Sequence, residues 1–124
     1  MNNLTNPVVF FEIPVTDVDR AMKFYRAVLG FEFTKTSIDE NEMALFPFYE
    51  NSGGISGALA KGEIYIPSHL GTLVYFHTDD IEMTLMKAKQ NGSKILYPKT
   101  AVGDLGFVAE FEDSEGNRIA LHSR

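Results

Sequence analysis

The chain has 124 residues, one domain's worth, with 44% hydrophobic and 23% charged residues, as expected of a globular protein able to bury a core without staples. Seventeen acidic residues against eleven basic ones give a net charge of -6, which argues against a nucleic-acid or anionic-membrane partner, because both need a cationic face. Cysteine is absent, so disulfides, a thiolate nucleophile and a cysteine zinc site are excluded.

Met1 to Pro7 has no cationic region and no long apolar run, so no signal peptide is expected, and no stretch approaches a membrane span. The expected location is the cytoplasm. Val8 to Val15 is short, apolar and rich in β-branched and aromatic residues, which predicts a strand. Thr16 and Asp17 signal a helix start, and Val18, Ala21, Met22, Tyr25, Val28 and Leu29 recur at helical spacing up to a stop at Gly30. Phe31 to Thr36, Met43 to Phe48 and Ile55 to Ala60 read as strands, the last after the turn Asn51 to Gly54.

The second half repeats the plan. Thr72 to Thr78 is a predicted strand, Asp79 or Asp80 caps a helix carrying Ile81, Leu85 and Ala88, and Asn91-Gly92 stops it. Lys94 to Tyr97, Phe107 to Glu112 and Arg118 to His122 follow as strands, with the turn Ser114 to Asn117 between the last two. The expected class is α+β, two βαβββ modules over about residues 7–61 and 70–124, joined by a linker at 62–69 within a single domain. A shift of 63 positions lays Asp17 on Asp80, Phe48 on Phe111, Glu50 on Asp113 and Gly53 on Gly116.

These features resemble the vicinal oxygen chelate superfamily, that of glyoxalases and bleomycin resistance proteins. The resemblance lies in the run from Phe10 to Tyr25, in Leu29-Gly30-Phe31, and in Phe111 to Asn117, where Ser114 replaces a usual proline. It covers nearly the whole chain. It implies modules in pseudo-twofold pairing, sheets curling around a cleft, and a homodimer with clefts completed across the interface. It also implies one of two activities, since the superfamily includes metal-dependent isomerases, lyases and dioxygenases alongside metal-free drug-binding proteins.

In catalytic members the metal ligands come from the first and fourth strand of each module. Carried onto this chain, the first-strand stations are Phe10 and Leu73, seven residues before Asp17 and Asp80. The fourth-strand stations are Gly57 and Ala120, four residues after Gly53 and Gly116. None of these side chains offers a lone pair to a cation, so no metal or other cofactor is expected.

Alternation along the strands places Phe10, Glu12 and Pro14 toward the cleft, with Leu73, Tyr75 and His77 from the matching strand. Ile55, Gly57 and Leu59 and then Arg118, Ala120 and His122 are expected to line it too. Glu12, a carboxylate in an apolar strand, needs a partner or a proton, and His122 and Arg118 are the candidate partners. Glu12 with His122 suits general acid–base catalysis, ligand positioning, or a structural ion pair. Phe10 and Tyr75 suit stacking against a planar or lipophilic molecule with one basic or hydrogen-bonding group for Glu12. The leading expectation is thus a metal-free small-molecule-binding protein. The alternatives are a lyase or isomerase using Glu12 and His122, a metalloenzyme with ligands displaced to Glu12, His77 and His122, or an interaction module with a vestigial cleft.

Overall fold

The computed structural model describes residues 6–124. The order is β1 (Phe11–Pro14), α1 (Val18–Leu29), β2 (Thr34–Ile38), β3 (Asn41–Leu45) and β4 (Gly57–Lys61), then β5 (Tyr75–His77), α2 (Ile81–Gln90), β6 (Ile95–Ala101), β7 (Phe107–Glu112) and β8 (Arg118–Ser123). Two four-stranded sheets form with the same order, β1-β4-β3-β2 and β5-β8-β7-β6. In each, the first strand runs parallel to the fourth and the other neighbours are antiparallel. The fold is α+β, built from two βαβββ modules, as the sequence pattern predicts.

Each helix starts where a short acidic side chain can satisfy a free backbone N–H. Asp17 accepts from Arg20 N at 3.0 Å, and Asp80 accepts from Met83 N at 3.0 Å. Gly30 ends α1 at φ 77°, a left-handed conformation that costs glycine little. The helices lie against each other and against one face of the sheets. Val18, Ala21, Tyr25 and Val28 of α1 and Ile81 and Ala88 of α2 meet Ile13, Leu59, Phe76, Phe111, Ile119 and Leu121 in one core that draws on both modules.

Most strands depart from their predicted bounds, β1 and β5 by being shorter, and β2 and β6 for reasons that packing and pairing show. β2 begins at Thr34 because Phe31 and Phe33 turn their rings onto Phe46, at 5.6 and 4.8 Å between centroids. β6 runs on through Pro98 to Ala101, which is tolerated because β6 pairs only with β7 and a sheet edge can spare an N–H; the ladder shifts register on both sides of Tyr97. The β2–β3 hairpin turns through Asp39 and Glu40, both at positive φ, 50° and 66°. Such a turn favours glycine at its second position. Replacing Glu40 with glycine is expected to stabilise the protein by about 1 kcal/mol. Thermal unfolding that shows no gain would mean the hairpin carries no strain.

The modules are joined through the β7–β8 turn. Asp113 accepts from the buried Tyr25 hydroxyl at 2.7 Å, and Asn117 donates to the Pro14 carbonyl at 2.7 Å. The carboxylate of Glu115, with no side-chain exposure, sits over the start of α1. It accepts from the backbone N–H groups of Thr16 and Asp17, each at 2.9 Å, and from Arg20 through both oxygens at 2.7 and 2.9 Å.

Candidate functional site

Alternation along β1 and β5 places side chains as predicted. Ile13, Val15 and Phe76 are buried toward the helices, whereas Phe10 (48% exposed), Glu12, Tyr75 (53% exposed) and His77 face away. In β8, Ile119 and Leu121 enter the core. Arg118, Ala120 and His122 occupy the opposite face, with Arg118 exposed, His122 half-buried and Ala120 covered.

The fourth strand of module one corrects the sequence reading. Glu12 pairs with Ala58, and Tyr75 pairs with Ala120. The repeat therefore runs at 63 for the first strands but at 62 for the fourth. The turn glycine equivalent to Gly116 (φ 96°) is Gly54 (φ 81°), not Gly53, which is not in the left-handed region. Gly57 consequently faces the core, where a Cβ would lie 2.7 Å from the Phe11 ring. Leu59 joins the main core, also contrary to expectation, and Ala58 and Ala60 take the open face with Met43.

The corrected stations are Phe10, Ala58, Leu73 and Ala120. Benzyl, methyl, isobutyl and methyl groups do not fit a metal ion, for want of a donor atom. Among the described residues no three His, Asp or Glu side chains gather in a way that could hold an ion, so Glu12, His77 and His122 do not form a displaced set.

Two hollows lie along the seam between β1 and β5, and they share Val8, Phe11, Thr72 and Val74. One, of about 400 Å³, holds Phe10, Glu12, Ile66, Leu70 and Arg118. The other, of about 640 Å³, is lined by Leu73, Tyr75, His77 and Ile55 together with Phe11, Phe31, Phe46 and Phe76. The last four rings form one cluster with centroids 5.2 to 5.9 Å apart. Sequence reasoning places Tyr75 and Leu73 here but reads Phe11, Phe46 and Phe76 as core and gives Phe31 no role, because an aromatic in a strand reads first as core; all four line the hollow.

The polar partners differ from those expected. Glu12 accepts from the hydroxyl of Tyr65, in the linker, at 3.0 Å. Arg118 forks onto Glu110 of the neighbouring strand at 2.7 and 3.0 Å, which holds its guanidinium above its usual pKa. His122 bonds the Leu105 carbonyl in the loop before β7, and His77 bonds Asp79 at 3.0 Å. Glu12 thus contacts neither His122 nor Arg118 within the chain. An acid–base pair of Glu12 and His122 is not assembled, because each group meets a nearer partner that its sequence neighbours do not reveal. Donating to Glu12 raises the pKa of Tyr65, so Tyr65 stays a hydroxyl donor.

The comparisons with known proteins agree with this architecture. The family model described as "Glyoxalase/Bleomycin resistance protein/Dioxygenase superfamily" matches residues 7–121. A "Glyoxylase-like domain-containing protein" of Didymella fabae is 32% identical over 117 residues, covering 91% of this chain and 90% of that one. Among solved structures, a glyoxalase I mutant from Zea mays superposes with a TM-score of 0.69 at 19% identity over 94% of this chain. This chain spans only 46% of the maize protein's length. TnmS3, an antibiotic binding protein from Streptomyces sp. CB03234, superposes at 0.66 with 21% identity over 98% of both chains. With a family model spanning nearly its whole length, the chain belongs to the glyoxalase/bleomycin resistance protein/dioxygenase superfamily.

Proposed function

We propose that this protein binds an apolar, planar small molecule in the β1–β5 seam without a metal ion. The observation that carries the reading is the pairing of two features. The four metal stations hold only hydrocarbon side chains or rings, while the adjoining hollow keeps exposed aromatic surface at Tyr75 beside a ring cluster. A cavity of about 640 Å³ is of the size that takes a drug-like molecule. The fold shared with an antibiotic binding protein supports a sequestering role, in which the ligand is held and not turned over.

An uncharged benzothiazole, 2-(4-methylaminophenyl)benzothiazole, is a suitable probe of a flat apolar site. It is expected to raise the melting temperature in a concentration-dependent way, since a ligand that binds only the native state stabilises it. Tyr75→Ala is expected to weaken binding roughly tenfold, the loss of one stacking aromatic anchor. Binding that Tyr75→Ala leaves unchanged would place the site elsewhere and overturn the proposal.

A further inference from the structure

We infer that Tyr65 gates the Glu12 end of the seam, and that the ligand it admits is an organic cation whose nitrogen takes the place of the Tyr65 hydroxyl at the Glu12 carboxylate. The inference rests on the proposed seam as a small-molecule site and adds the charge of its ligand and the residue that controls access.

Two features of the chain support the charge. Glu12 is the carboxylate of the seam hollow, and the partner it holds, a tyrosine hydroxyl, is neutral. The cation of the same hollow, Arg118, is already neutralised by two bonds to Glu110. A ligand arriving here thus meets net negative charge against the apolar surfaces of Phe10, Ile66 and Leu70. An ammonium or a delocalised nitrogen cation on an apolar body complements that combination, whereas an anion is disfavoured.

The linker is built as a gate. The Tyr65 ring rests on Met43, Ala58 and Ala60, a small cluster separate from the main core, and two alanines leave a shallow seat for it. The residues on either side, Ile64 (81% exposed) and Ile66 (73% exposed), stand in solvent. Beyond them the linker is tied to module two, by Ser68 N–H donating to Asn117 at 3.1 Å and Arg118 N–H donating to the Ser68 carbonyl at 3.3 Å. Tyr65 is therefore the large side chain that fastens this segment to module one, against the cluster that includes Ala58, one of the four metal stations. Held to module one by one ring and one hydrogen bond, the Tyr65 end of the segment opens at low cost compared with the core.

The test uses two flat probes of nearly the same shape, cationic thioflavin T and the uncharged benzothiazole above, titrated calorimetrically against the wild-type protein, Tyr65→Phe and Glu12→Gln. Thioflavin T is expected to bind the wild type more tightly than the neutral probe, and Glu12→Gln to erase the difference. Tyr65→Phe keeps the ring but removes the competing donor, so it is expected to tighten thioflavin T roughly fivefold while leaving the neutral probe unchanged. If Tyr65→Phe moves both probes equally, or if the two probes bind the wild type alike, the gate and its charge preference are overturned while the seam site stands. If neither probe binds the wild type, both readings fall.

Discussion

Replacing Glu115 with alanine is expected to destabilise the protein by about 3 kcal/mol, a drop of roughly 10 °C in melting temperature for a chain of this size. The change removes a buried carboxylate that bonds two backbone N–H groups at the start of α1 and both arms of the Arg20 fork. It also turns the N–H groups of Thr16 and Asp17 over to solvent at the junction of the modules and leaves Arg20 with its bond to Thr16 Oγ1 alone. Burial opposes ionisation of Glu115, but the bonds from Arg20, Thr16, Asp17 and Ser114 prevail and hold its pKa at about 2, against an ordinary 4.5. A carboxylate whose folded pKa is depressed contributes stability that is present above its unfolded value and lost as pH falls toward the folded one. The wild type should therefore lose on the order of 2 kcal/mol from this group between about pH 4.5 and pH 2, discounted for the exposure of Arg20. Asp113 works in the opposite direction, because burial raises its pKa, and it offsets part of that loss. Glu115→Gln separates the two, since the stability gap between it and the wild type should shrink through that window. Urea unfolding at pH 7 and near pH 3 reads the gap, and a gap independent of pH would mean the clamp is not ionic.

Gly57→Ala is the second large expected effect, a loss of about 3 kcal/mol. The added methyl would lie 2.1 Å from the Phe11 carbonyl oxygen and 2.7 Å from its ring, so β1 and β4 must part or the aromatic cluster must shift. The result decides the register of the fourth strand. On the open face, where the sequence repeat placed it, the methyl would be accommodated with little change in stability. A neutral Gly57→Ala would restore Gly57 as a site residue and displace Ala58.

Much of this protein was legible in its sequence where the signal is local. Asp17 and Asp80 announce their helices because an N-cap acts within three residues. The alternation of Phe10, Glu12 and Pro14 against Ile13 and Val15 fixes a strand face because a pleat has period two. The register of β4 was not legible, because Gly53 and Gly54 are adjacent and only the backbone shows which takes positive φ. A slip of one residue then turned the whole strand over. The partners of Glu12 and Arg118 were hidden for another reason. Tyr65 lies 53 residues from Glu12, in a linker with no periodicity, and the fork to Glu110 depends on pairing between β7 and β8. The four phenylalanines of the seam carry the same pattern as core residues, and only packing shows that their cluster borders a hollow.

The most direct test of metal-independent binding is a titration of the uncharged benzothiazole in excess EDTA, repeated with zinc, nickel or manganese added instead. With Phe10, Ala58, Leu73 and Ala120 at the stations, the affinity is expected to be the same in every case. Binding that EDTA abolishes and a divalent ion restores would contradict the account.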